Sequence, residues 1–220
     1  MVCDYIHFVC AITPYFIYCH TQYSGVTVLS DHDLSAAFGR QVSDIQNRPD
    51  VEIDRPDGEP TIQPSSVDLH LDDQFCVPKS QKTPIKIDQR ESYPQYDYEL
   101  TDENGYFHIK PNQFVLAATT EEITLSENVV GFLWGRSSVG RLGLFVENAG
   151  LVDAGFSGDI TLELYNPTNN TIAVKEGMRI VQLTVHELTT EAAEPYDEQV
   201  TSKYNGQSGV TPSRLSRDFE

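Results

Sequence analysis

Basic residues are scarce in this sequence. Only six of its 220 residues are lysine, and 15 Lys and Arg stand against 33 Asp and Glu, which leaves a formal charge of −18 at pH 7. Nucleic acids and anionic membrane surfaces need a basic face on their partner, so this composition argues against both as partners. An acidic chain with little lysine is typical of a protein kept soluble in concentrated salt, where self-repulsion is screened, and we predict a halophilic protein. The alternative is an ordinary acidic cytosolic protein.

Cysteine and histidine motifs are also missing. The four cysteines include no C-x-x-C pair, and a disulfide framework is unexpected in a chain of this length. The six histidines form no H-x-E or H-E-x-x-H motif. The sequence therefore predicts no zinc site.

No apolar run is long enough for a membrane span, which needs about 20 residues. Residues 1–25 are apolar and aromatic but are interrupted by Asp4, His7, Pro14 and His20, and no basic residue precedes them. We therefore interpret residues 1–25 as a non-native or disordered extension, with Val26 as a non-standard start.

Short strands with turn signals between them dominate the rest of the chain. A short helix is expected to begin at Ser30, capped by Asp33, and to end at Gly39. Residues 62–71 alternate apolar and polar side chains, which predicts a half-buried strand, and residues 160–165 alternate in the same way. The pattern favours an all-β barrel or sandwich.

Three polar segments interrupt these strands. Residues 40–60 and 78–105 contain several prolines and are predicted to be loops with little core content. The last 25 residues contain Gly206, Gly209 and Pro212, and we predict a mobile tail.

Two carboxylates are candidates for chemistry. Glu163 lies within the apolar strand Ile160–Leu164, and Asp153 lies in a short turn between small residues. A strand Glu is usually solvated and a turn Asp is usually structural. A Glu in a partly apolar pocket, however, has a raised pKa suited to proton transfer.

A second segment has the chemistry of an anion site. Arg136, Ser137 and Ser138 offer a guanidinium, two hydroxyls and backbone N–H groups, and Gly135 and Gly140 allow a ligand to approach the backbone closely. Together with the two carboxylates, this segment suggests a phosphorylated substrate and acid–base chemistry.

These residues resemble the dCTP deaminase branch of the dUTPase-like superfamily. The resemblance covers about residues 26–214 in order. It rests on residues 29–33, 62–69, 135–143, 150–163, 176–183, 202–207 and 211–214.

The resemblance implies a distorted jelly-roll β-barrel, with residues 1–25 as an extension, 26–190 as the barrel domain and 191–220 as a tail that closes over the active site. It further implies a cytoplasmic homotrimer with sites at subunit interfaces, dCTP as substrate, and Mg²⁺ carried by the triphosphate without dedicated protein ligands.

The resemblance also implies roles for individual residues. Glu163 would be the proton shuttle, and Ser137 and Arg141 would orient the attacking water and stabilise developing charge. The remaining expected contacts to substrate are the phosphate-binding Arg136, Ser137 and Ser138, the deoxyribose-binding Asp153, and the tail residues Tyr196, Lys203 and Gln207. Relatives often have Thr-Ala-Gly before the Asp turn, where this sequence has Asn148-Ala149-Gly150, and Asn148 is expected to contact the pyrimidine.

The expected reaction is zinc-independent deamination of dCTP to dUTP and ammonia. One alternative is a bifunctional enzyme that continues to dUMP, since Asp153 suits water activation at the phosphate chain and Glu163 suits deamination. Others are a dUTP diphosphatase alone, or a nucleotide-binding module without catalysis.

Overall fold

Strands are the main regular secondary structure of the computed structural model, which describes residues 28–37, 51–56, 58–147 and 150–219. Two α-helices are described, α1 (Asp31–Ala37) and the single turn α2 (Ser137–Gly140). The strands are β1 (Val51–Asp54), β2 (Thr61–Gln63), β3 (Ser66–Pro78), β4 (Tyr96–Leu100), β5 (Tyr106–Ile109), β6 (Gln113–Leu125), β7 (Val129–Gly135), β8 (Phe145–Glu147), β9 (Leu151–Val152), β10 (Ser157–Asn166), β11 (Ile172–Lys175) and β12 (Arg179–Glu187).

One curled antiparallel sheet contains ten of these strands. Its main order is β8-β10-β6-β3-β12-β7-β9, with β1 paired to β6 and with β2 and β4 paired to β3, while β5 and β11 form a separate ribbon. The apolar side chains inside the curl form the main core, in which Phe75 and Phe107 stack at 3.9 Å between ring centroids. The predicted all-β architecture is confirmed.

Helix α1 begins as its sequence predicts. The Ser30 N–H donates to Asp33 Oδ2 at 3.0 Å, and the Asp33 N–H donates to Ser30 Oγ at 3.3 Å. This reciprocal pair satisfies two of the N–H groups that the first turn leaves unpaired. The predicted end at Gly39 and the predicted extension at residues 1–25 lie outside the described residues.

One strand prediction and two loop predictions are wrong. Residues 62–71 form two strands, because a turn at Pro64 and Ser65 separates β2 from β3, and the β3 side chains from Val67 to Leu71 are buried on both faces. The predicted loops contain β1 and β4, which form because the long strands β6 and β3 offer them backbone partners.

The C-terminal tail packs against the barrel along β10. The Gly206 N–H donates to the Ser157 carbonyl at 2.7 Å, and the Thr211 N–H donates to Thr161 Oγ1 at 3.1 Å. Val210 is buried beside Leu116. These contacts attach the tail to β10, while its closure over the active site and its mobility stay predictions.

Candidate active site

Strand β10 alternates between core and cavity. Ile160, Leu162 and Leu164 are buried, and Thr161 and Glu163 between them are half-buried. A strand side chain opposite the core usually faces water. In this protein the tail covers the face of β10 that carries Thr161 and Glu163, so the Glu163 side chain lies in a partly apolar environment.

A cavity of about 450 Å³ lies where β10, the turn before it and the tail meet. Its walls are mostly apolar, and its polar groups converge from β4, the turn, β10 and the tail. Those groups are Tyr96, Asp153, Thr161, Glu163, Tyr196, Tyr204, Gln207, Thr211 and Ser213. A largely apolar cavity with a few convergent polar groups is the usual form of a small-molecule site.

The pKa of the Glu163 carboxyl is raised. Burial raises it first, the backbone N–H of Glu163 itself lowers it, and the Glu147 carboxylate on β8 raises it further. A carboxyl of this kind exchanges protons closer to neutral pH than a solvated one does.

Asp153 is exposed at the mouth of the same cavity. Its carbonyl accepts the Phe156 N–H at 3.1 Å, which closes the turn into β10, and Gly155 in that turn has φ +80°. A Cβ at Gly155 would lie 2.8 Å from the Tyr196 N, so the turn and the tail fit closely only with glycine there.

The tail residues are fixed by hydrogen bonds. Tyr196 Oη accepts the backbone N–H groups of Lys203 and Tyr204, both at 3.0 Å. Gln207 is buried, its Nε2 donates to the Asp159 carbonyl at 2.5 Å, and its Oε1 has no partner among the described residues. Lys203 Nζ lies 2.5 Å from an Asp218 carboxylate oxygen.

The Arg-Ser-Ser segment lies elsewhere. Ser137 and Ser138 on α2 are exposed, as is Arg141 just after it. Arg136 and Ser137 line a second cavity of about 240 Å³, whose walls also include Glu147. In this single chain the cavity of Glu163 therefore does not include Ser137 or Arg141.

Arg136 faces a buried acid. Its Nη2 lies 3.6 Å from Asp68 Oδ2, its Nη1 donates to the Arg179 carbonyl at 3.2 Å, and Arg179 Nη1 donates to the same Asp68 oxygen at 3.1 Å. Sequence reasoning missed Asp68, although a carboxylate within the buried run Val67–Leu71 was a signal. Asn148 lies outside the described residues.

No group of three or more His, Cys, Asp or Glu side chains within the described ranges could hold a metal ion. Mg²⁺ that arrives on a triphosphate needs few protein ligands, because it keeps water and phosphate oxygens. The mouth of the cavity is exposed and carries the Asp153 carboxylate, which fits such an ion. Binding of Mg²⁺ there stays a prediction. None of the described helices is long and apolar enough to span a membrane.

Comparison with known proteins identifies a family for this chain. The family model described as dCTP deaminase-like matches residues 38–188. The chain is 43% identical to the dUMP-forming dCTP deaminase of Persephonella marina over 157 residues, 71% of this chain and 84% of that protein. It is 42% identical to the dUMP-forming dCTP deaminase of Mycolicibacterium gilvum over 202 residues, 87% of this chain and 97% of that protein.

A solved structure supports the fold. The 2'-deoxycytidine 5'-triphosphate deaminase of Agrobacterium tumefaciens superposes with a TM-score of 0.54 at 19% identity, over 73% of this chain and 46% of that chain. This chain thus spans less than half of that neighbour. The predicted distorted jelly-roll barrel of the dUTPase-like type is confirmed. The protein is a nucleotide-metabolising enzyme by fold and family. It belongs to the dCTP deaminase-like family.

Proposed function

We propose that this enzyme converts dCTP to dUMP, ammonia and pyrophosphate with two molecules of water. We choose this alternative over the main expectation from sequence, release of dUTP, because the similar relatives are named as dUMP-forming. The structural support is that one cavity holds two carboxylates, Glu163 inside and Asp153 at its mouth.

Deamination is assigned to Glu163. Its carboxylate takes a proton from water and delivers it to the adjacent ring nitrogen as the resulting hydroxide adds to the ring carbon that bears the amino group. Glu163 then moves the proton of the new hydroxyl to the amino nitrogen, and that oxygen becomes a carbonyl. The C–N bond then breaks and ammonia leaves. A raised pKa suits both halves of this cycle, because the group must accept and then give up the same proton.

Cleavage of the phosphate chain is assigned to Asp153. Water attacks the phosphorus nearest the sugar, Asp153 accepts the water proton, and pyrophosphate leaves. Mg²⁺ supplies charge neutralisation on the phosphates when it is bound with the nucleotide. No zinc is assigned to either step.

The phosphate-binding half of the site comes, in this proposal, from a second subunit of a homotrimer. Ser137 and Arg141 lie outside the cavity of Glu163 in their own chain. Large apolar side chains are exposed around the two cavities, as surfaces that contact another subunit often are. They are Trp134, Leu142, Phe145 and Leu151.

The experiment is a product analysis with dCTP and Mg²⁺ in molar KCl, which also tests the predicted salt tolerance. Equal amounts of ammonia, pyrophosphate and dUMP are expected. Ammonia with accumulating dUTP would show deamination alone, and dUMP from dUTP without ammonia from dCTP would show a diphosphatase.

Two variants separate the steps. Glu163→Gln is expected to lower ammonia release by about 10²–10⁴-fold while nucleotide binding persists. Asp153→Asn is expected to lower pyrophosphate release more than ammonia release. Glu122→Gln is the matched control, because Glu122 is an exposed carboxylate on β6 that does not line the cavity. Near-normal ammonia release by Glu163→Gln would refute the assigned shuttle.

A further inference from the structure

A second glutamate stands directly opposite the proposed proton shuttle. Strands β8 and β10 are antiparallel, and their register places Glu147 against Glu163. Side chains directly opposite on antiparallel strands point to the same face with their Cβ atoms about 4.5–5.5 Å apart. Like charges in such a pair destabilise the sheet, so the pairing calls for an explanation.

The other neighbours of Glu163 do not offset this charge. Its register partner on β6 is Leu116. The remaining titratable side chains of the described cavity lining are Asp153 from the turn, Tyr96 from β4, and Tyr196 and Tyr204 from the tail, with no Lys or Arg among them. Within this cavity lining no cation offsets the charge of Glu147, and the nearest candidate, Arg136, lines the second cavity together with Glu147 and is held there by Asp68.

The two glutamates differ in exposure. Glu147 is exposed and Glu163 is half-buried. Water stabilises the charge on Glu147, whereas Glu163 has lost part of its hydration, so the repulsion is relieved mainly by a proton on Glu163.

We propose that Glu147 is a positioning residue for deamination, a fixed negative charge that keeps a proton on Glu163 until the leaving nitrogen takes it. The inference rests on the proposed function, since it assigns Glu147 an effect on the same shuttle. Glu147 is not among the residues expected to contact the substrate. It acts through Glu163 and needs no contact with the nucleotide.

The test compares Glu147→Gln with Glu147→Asp, which keeps the charge, and with Glu122→Gln, which removes a distant one. The pH profile of kcat/KM for ammonia release is measured at the lowest KCl concentration that leaves the circular dichroism unchanged. Its acid limb is expected to move down by about half a pH unit in Glu147→Gln, the size of one exposed charge at this spacing. Glu147→Asp and Glu122→Gln are expected to keep the wild-type limb.

Salt gives a second readout that a packing defect would not reproduce. The Debye length falls from about 10 Å at 0.1 M to about 3 Å at 1 M, so the shift between wild type and Glu147→Gln should shrink in molar KCl. A difference that persists unchanged in high salt would contradict a charge effect.

Carbon NMR of the Glu163 carboxyl, assigned by its loss in Glu163→Gln, measures the coupling without turnover. Its titration midpoint is expected to fall in Glu147→Gln. If the wild type releases ammonia and the midpoint does not move, this inference alone is overturned. If the wild type releases no ammonia from dCTP, the proposed function fails and the inference fails with it.

Discussion

The two halves of the candidate site are built differently. Around Glu163, one chain supplies the strand, the turn and the tail that enclose a cavity. Around Ser137, the same chain supplies a single helical turn with exposed hydroxyls and a shallow cavity of about half that volume. One chain therefore encloses Glu163, the residue proposed for proton transfer. The proposed phosphate-binding residues stay exposed in that chain and, in our proposal, are covered only by a second subunit.

Mixed trimers test this comparison most strongly. Glu163→Gln and Arg141→Ala are each expected to lose about 10²-fold or more of ammonia release. If a site combines Glu163 of one subunit with Arg141 of another, trimers reassembled from both variants contain some intact sites and recover activity. The measurement is ammonia release before and after mixing.

A matched mixture sharpens the result. Glu163 and Asp153 line the cavity of the same chain, so trimers of Glu163→Gln and Asp153→Asn should contain no site with both carboxylates, and any dUMP should form only by way of released dUTP. A mixture of Glu163→Gln and Arg141→Ala that stays inactive would show that each chain completes its own site.

Features that depend on residues close together in the sequence were predicted correctly. The Ser30 and Asp33 cap and the alternation of β10 are local patterns, and both are present. The resemblance placed Glu163 and Asp153 in one site, and the structure brings them to one cavity.

Partners distant in sequence could not be predicted. His70 is buried because its Nδ1 lies 2.6 Å from an oxygen of the buried Glu121, 51 residues further along the chain. Asp68 depends in the same way on Arg179, 111 residues away. Strand β4 is polar and exposed, and only its ladder with β3 makes it a strand. Composition contains none of this information.

The Tyr196 hydroxyl holds the polar tail against the cavity of Glu163. Tyr196→Phe removes the acceptor of the Lys203 and Tyr204 N–H groups, at a cost of about 1 kcal/mol for each lost hydrogen bond. We expect faster hydrogen exchange at these two amides and a several-fold higher KM for dCTP. Tyr106→Phe is the control, because Tyr106 lies on β5, away from the tail. Unchanged exchange at both amides would show that the tyrosine hydroxyl does not hold the tail.

The smallest expected effect concerns stability at the enclosed half. Because the folded-state pKa of Glu163 is raised above its ordinary value of 4.5, the folded protein binds this proton more tightly than the unfolded chain does. The stability it contributes is complete below pH 4.5 and is lost as pH rises through the folded-state pKa. Glu163→Gln cannot ionise, so it should unfold at a slightly higher temperature than the wild type at pH 7 to 8.

That advantage should shrink as the pH falls and should vanish well below 4.5, where the wild-type carboxyl is protonated in both states. Thermal unfolding of the two proteins across this range, with Glu122→Gln as the exposed control, measures it. A Glu163→Gln protein that is less stable than the wild type at neutral pH would mean that the charged carboxylate is well solvated or paired, and the contrast between an enclosed and an exposed half of the site would no longer hold.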